Sequence, residues 1–109
     1  MKKILLGFIV VIFLVITLAS VGFAQDMGII TGGKKGTYYQ FGLNLAQLVK
    51  PSGINLSVYN SNGSVENIYA VYRRPRTQLG IVQADVLAFV TKIQTDPVLK
   101  RIAKKIKMV

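Results

Sequence analysis

Histidine and cysteine are both missing from the 109 residues, and those two absences remove much of the chemistry open to a small protein. Without them no Cys₄, Cys₂His₂ or histidine-based metal site can be assembled. No serine–histidine or cysteine–histidine nucleophile pair can form either. The lack of cysteine also rules out a disulfide staple and a lipid-anchored amino-terminal cysteine. Acidic residues are scarce. Asp26, Glu66, Asp85 and Asp96 are the full set, and no spacing among them suggests a working acid–base pair. The sequence therefore predicts a noncatalytic protein with no metal and no cofactor.

What the chain has in plenty is apolar residues at its start and cations at its end. Met1-Lys2-Lys3 is a short cationic opening, Ile4 to Leu18 is nearly unbroken apolar sequence, and Gly22-Phe23-Ala24 places small residues at the −3 and −1 positions before Gln25. That pattern predicts an export signal over residues 1–24, cleaved after Ala24. An uncleaved membrane anchor is the alternative, since about 20 apolar residues suffice to span a bilayer. Either way the cationic end stays inside and the remainder is exported, to the periplasm or the outer face of the cytoplasmic membrane. Taking 24 residues from 109 leaves 85, a partial lobe whose two-layer core would be marginal at that size.

The formal charge of the whole chain is +10. Five cations lie between Lys100 and Lys107, and three more are Arg73, Arg74 and Arg76. Such a balance attracts anions, acidic lipids or nucleic acid. Export argues against nucleic acid, and solvated helix faces and loops account for most of the charges.

Residues 25–109 read as alternating strands and helices. Gly28 to Thr31 is a short apolar strand running into the glycine-rich turn Gly32-Gly33-Lys34-Lys35-Gly36. A helix is predicted over Thr37–Lys50, with Tyr38, Phe41, Leu45, Leu48 and Val49 as its apolar face, stopped by Pro51-Ser52-Gly53. Ile54, Leu56 and Val58 alternate as a second strand. Ser64 is a suitable cap for a helix over Val65–Arg73, with Glu66 helping to complete a capping arrangement, and Arg74-Pro75 ends it. Gln78–Val82 is the third strand, followed by a helix from about Ala84 to Ile93. Asp96-Pro97 then opens a last helix, with Val98, Leu99, Ile102, Ala103 and Ile106 as its buried stripe.

Strand–helix alternation over short connections implies a parallel sheet with right-handed crossovers. In such sheets ligands lie beyond the carboxyl ends of the strands, at helix amino termini that favour anions. The corresponding loops are Gly32–Tyr39, Ser61–Asn67 and Gln83–Asp85, and they predict a site for a small anion.

At these same loops the chain resembles the TAXI family of solute-binding subunits of TRAP transporters. The resemblance is carried by Ile30-Thr31-Gly32-Gly33-Lys34-Lys35-Gly36-Thr37-Tyr38-Tyr39, by Ser61-Asn62-Gly63-Ser64-Val65-Glu66-Asn67 and by Leu79-Gly80-Ile81-Val82-Gln83-Ala84-Asp85. It implies an α/β lobe of a type II periplasmic-binding-protein-like fold that closes with a second lobe, missing here, around glutamate or a dicarboxylate. The partners implied are that small carboxylate and the transporter's membrane subunits. Carried over residue by residue, Gly36, Thr37 and Tyr38 would hold a ligand carboxylate. Ser61, Asn62 and Ser64 would supply donors, and Gln83 and Asp85 would close the wall, Asp85 meeting a ligand ammonium. Lys34-Lys35 departs from the small or uncharged residues usual in the family, and solvation is the favoured reading for both.

Two other readings compete with this one. Gly28 to Lys35 nearly fits a phosphate-binding loop but ends in Lys35 where a hydroxyl is needed for Mg²⁺. A small cationic membrane-associated protein would use the last helix, apolar on one side and basic on the other, as an interfacial anchor. Asn55-Leu56-Ser57 and Asn62-Gly63-Ser64 match the glycosylation pattern, which short tripeptides often do by chance.

Overall fold

A computed structural model describes residues 2–19, 24–93 and 96–109. The element order is α1 (Lys2–Ala19), β1 (Gln25–Ile30), α2 (Thr37–Val49), β2 (Ile54–Tyr59), α3 (Ser64–Arg73), β3 (Leu79–Gly80), α4 (Ala84–Lys92) and α5 (Pro97–Lys105). A single 3-10 turn, Lys50–Ser52, closes α2, and Gly53 follows it in the left-handed conformation at φ 80°. Residues 20–23, which hold most of the expected cleavage site, lie outside the described residues.

From Ile4 to Leu14 the large apolar side chains of α1 are exposed, Ile4 at 77%. A helix apolar on all sides has no stable place in water and belongs in a protein core or a membrane. Its 18 residues rise about 27 Å, against roughly 30 Å of bilayer hydrocarbon. Among the described residues no helix is long and apolar enough to cross a membrane.

The sheet is parallel throughout, in the order β2-β1-β3. Right-handed crossovers from β1 to β2 and then back past β1 to β3 place α2 on one face and α3 on the other. β3 is shorter than the five residues expected. β1 ends at Ile30 because Thr31 turns towards β2, its N–H and Oγ both donating to the Tyr59 carbonyl at 2.9 and 2.8 Å. Beyond Ile81, whose N–H donates to the Ile30 carbonyl, β3 therefore has no neighbour to pair with.

The core lies on the α3 side. Ile68 of α3, Val90 of α4 and Leu99, Ile102 and Ala103 of α5 pack into one buried cluster. The stripe expected on α5 is thus used, except that Val98 remains 40% exposed. Most of the apolar side of α5 is therefore packed inside the molecule rather than displayed. Several cations are held over rings. Arg74 lies 3.8 Å from the centre of the Tyr59 ring, Arg73 5.1 Å from Tyr69 and Lys105 5.9 Å from Tyr72.

On the other face, α2 matches the expectation only in part, with Leu45 and Val49 half-buried and Tyr38 exposed. Phe41 and Leu48 are exposed, at 55% and 75%, and the residue buried against the sheet is Gly42. A β-carbon there would come within 2.8 Å of both Thr31 Cγ2 and Val58 Cγ1. The helix sits so close to β1 and β2 that only glycine fits at the contact. Tyr39, Leu43, Ala46 and Val49, at three- and four-residue spacing around Gly42, are half-buried with it.

Candidate functional site

Because the three strands run parallel, their carboxyl ends and the amino termini of α2, α3 and α4 share one edge of the sheet. In the order 2-1-3 the chain leaves β1 towards one side and β3 lies on the other. The switch point of this sheet, where ligands of open α/β folds bind, is therefore between β1 and β3.

Three loops are tied together there by polar bonds. Ser61 N–H donates to the Gly32 carbonyl at 2.8 Å and joins the first loop to the second. Gln83 N–H donates to Ser64 Oγ at 3.0 Å and joins the third to the second. Asn67, fully buried, closes the circuit. Its Nδ2 donates to the Thr31 carbonyl and to the Ile81 carbonyl, both at 2.7 Å, across the gap between β1 and β3. Two facing carbonyls fix which end of the amide carries the hydrogens. Asn67 Oδ1 is left buried and without a hydrogen-bond partner. Sequence reading placed Asn67 at the end of a candidate loop without giving it a role. An asparagine one turn into a helix carries no signal of its own, and only its partners reveal the clamp.

The residues expected to touch a ligand divide into two groups. Gly36, Thr37, Tyr38, Asn62, Gln83 and Asp85 are exposed along this edge. Ser61 is buried, with Oγ accepting from Gly63 N–H at 3.3 Å. Ser64 is half-buried, and its hydroxyl holds Gln83 rather than capping its own helix. The cap of α3 is Gly63, at φ 142°, with no side-chain bond. Gly36 caps α2 in extended conformation, and its N–H is already given to the Gly33 carbonyl at 2.8 Å. The Lys34-Lys35 tip of that turn points to solvent, as expected. Tyr38 lies across Gly32, where a β-carbon would meet its ring-bearing carbon at 3.4 Å.

The three helix starts differ in electrostatics. α3 carries Glu66 in its first turn, and that carboxylate accepts from Asn62 N–H at 2.8 Å; this is the expected capping contact, reaching one residue further back. α4 carries Asp85, whose Oδ1 accepts from Val86 N–H at 2.9 Å. α2 has neither an acidic residue in its first turn nor a side-chain cap. Of the three, only the start of α2 has no carboxylate of its own beside the positive end of its dipole.

Two hollows among the described residues lie elsewhere. One, of about 630 Å³, follows the edge of β3, and another, of about 290 Å³, lies where α2 ends and β2 begins. The loop edge itself is open, as one wall of a cleft would be. Among the described residues no cluster of acidic side chains is arranged to hold a metal ion.

The sequence profile of the NMT1-like family matches residues 29–92, from the middle of β1 to the end of α4 and so across all three loops. The match covers more than half of the chain, and the chain belongs to the NMT1-like family. It is thereby a member of the periplasmic binding protein-like superfamily, a class of solute-binding receptors rather than enzymes that usually work outside the cytoplasm. No curated protein and no solved structure matches the chain.

Proposed function

We propose that residues 25–109 form one wall of an exported solute receptor of the TAXI type, which captures a small organic anion such as glutamate or a dicarboxylate and passes it to TRAP membrane subunits. One observation carries the reading. At the switch point of the sheet, α2 starts with no acid in its first turn, whereas α3 carries Glu66 and α4 carries Asp85 there. A carboxylate seated there would accept from the first-turn N–H groups of α2 and the Thr37 hydroxyl, with Tyr38 alongside. Lys34 and Lys35 raise the local positive potential without holding the ligand. Asn62 and Gln83 would face the rest of the ligand, and Asp85 would meet a ligand ammonium. Ser61 and Ser64 serve the site by fixing its loops.

The open edge calls for an opposing wall, which a second lobe would supply. Residues 1–24 fit the same picture as an export signal, with a cationic start and an apolar helix that finds no place in water.

The test is an NMR titration of the full chain, its first helix held in a nonionic micelle, with glutamate, succinate and chloride. Amide shifts should appear at Thr37, Tyr38 and Tyr39 with either carboxylate and not with equal chloride. Thr37→Asp, which puts a competing carboxylate at the helix start, should abolish them. Shifts spread evenly over the basic surface, or unchanged in T37D, would refute the assignment.

A further inference from the structure

The second loop holds a residue placed to change its own charge. We propose that Asn62-Gly63 is a self-modifying site, at which the Asn62 carboxamide is lost as ammonia and replaced by aspartate or isoaspartate. This does not depend on the ligand assignment at the loops.

The reaction requires an accessible carboxamide, a following backbone nitrogen able to give up its proton, and room for the two to meet. Asn44, Asn55, Asn60, Asn62 and Asn67 are the asparagines of the chain, and the fold obstructs all but one. Asn44 lies inside α2, where the next N–H is used by the helix. Asn55 is in β2, its Nδ2 donating to Asp26 Oδ1 at 3.2 Å. Asn67 is buried, with both amide hydrogens given to carbonyls. Asn60 is exposed, but the nitrogen after it belongs to Ser61 and is tied to the Gly32 carbonyl at 2.8 Å.

Asn62 meets every requirement. Its side chain is exposed, in a bend outside any helix or strand, and its own N–H is anchored to Glu66 at 2.8 Å. The nitrogen that follows is that of Gly63, which has no β-carbon to shield it and lies at φ 142°. A β-carbon there would find nothing within 4 Å, so the space beside that nitrogen is open. Gly63 N–H donates to Ser61 Oγ at 3.3 Å, longer than an ordinary N–H···O bond. Gly63 also caps α3, and the positive end of the helix dipole favours the anion left when the proton departs.

The atoms balance with water as the co-reactant. Base removes the Gly63 amide proton, the nitrogen attacks Asn62 Cγ, and ammonia leaves as the bond from Cγ to Nδ2 breaks. The cyclic imide then takes up one water. Opening at Cγ restores the main chain and leaves aspartate. Opening at the main-chain carbonyl leaves isoaspartate, with the backbone rerouted through Cβ and Cγ. Either product sets a carboxylate beside Glu66 and lowers the formal charge of +10 by one. Isoaspartate also lengthens the loop between the Ser61–Gly32 and Ser64–Gln83 ties.

The full chain in nonionic micelles, held at neutral and at mildly alkaline pH and sampled by tandem mass spectrometry, tests the proposal. Position 62 should gain the mass of an acid over an amide, faster at the higher pH, and an isoaspartate-specific methyltransferase should label it. In the folded chain Asn62 should convert about tenfold faster than Asn60, the rate ratio expected from one obstructing side chain and one firmly held N–H. Guanidinium chloride should narrow that ratio by releasing Ser61 N–H, while leaving Asn62 nearly unchanged. Asn62→Gln, whose longer side chain closes a larger and slower ring, should abolish the label. Conversion no faster at Asn62 than at Asn60 overturns the proposal, as does a marked acceleration of Asn62 on unfolding, which would show that the fold protects it. Aspartate without isoaspartate also overturns it, because the imide opens both ways.

Discussion

Asn67 shows how much of the frame can hang on one side chain. Its amide spans the ends of β1 and β3, and no neighbour can replace it. Asn67→Ala should cost about 2–5 kcal/mol, because two buried carbonyls lose their donor. Asn67→Asp should be worse, as it turns a carboxylate towards those carbonyls; urea unfolding would measure both. A second residue with little freedom is Gly28. Arg76 adopts φ 57°, unusual away from glycine, and its carbonyl lies over β1, where a Gly28 β-carbon would approach to 2.0 Å. Gly28→Ala should lower stability by about 1–3 kcal/mol. Gly33→Ala, where the space is open, should be close to neutral by the same measurement. Neither Asn67 nor Gly28 announced this in the sequence. An asparagine and a glycine are ordinary residues until the partners across the fold are known.

Among the elements, helices and their order were legible because each is bracketed by strong local signals. Asp96 is the clearest, its side chain accepting from Val98 N–H and Leu99 N–H at 2.9 and 3.4 Å, as a cap before proline should. Those two bonds are the main reason its carboxyl titrates below the usual carboxylate range, with Tyr69 and Arg73 adding to the effect. A lowered native value means that the cap stabilises fully above the ordinary carboxyl value, about 4. That contribution is then lost as pH falls through the lower native value. Asp96→Ala should thus reduce the urea midpoint at neutral pH, and the gap from the parent should close in acid. A gap that persists at the lowest pH would show that the carboxylate's charge is not its cause.

The facing of α2 was legible only in part. Tyr38, Phe41, Leu45, Leu48 and Val49 fall at helical spacing and suggest a buried face, yet only Leu45 and Val49 are half-buried. The true contact is made by what is small, since Gly42 and Ala46 let the backbone approach the sheet. Gly42→Ala should therefore cost about 1–3 kcal/mol. Phe41→Ala, at a position more than half exposed, should change stability by only about 0.5 kcal/mol. Thermal melts of the two variants would rank them. β3 was overextended for a related reason, because its apolar run says nothing of where its partner turns away.

For the molecule as a whole, the alternation of strand and helix was enough to predict a parallel sheet and to put three loops on one edge. What composition could not reveal is the division of labour among those loops. Ser61, Ser64 and Asn67 look as suited to a ligand as Thr37 or Asn62, yet their polar atoms are engaged in holding loop to loop. The atoms that build the edge are largely separate from the side chains displayed on it. Thr37, Tyr38, Asn62 and Gln83 can accordingly be exchanged with little penalty to folding. Descendants of such a scaffold are free to change what they carry while inheriting the same skeleton.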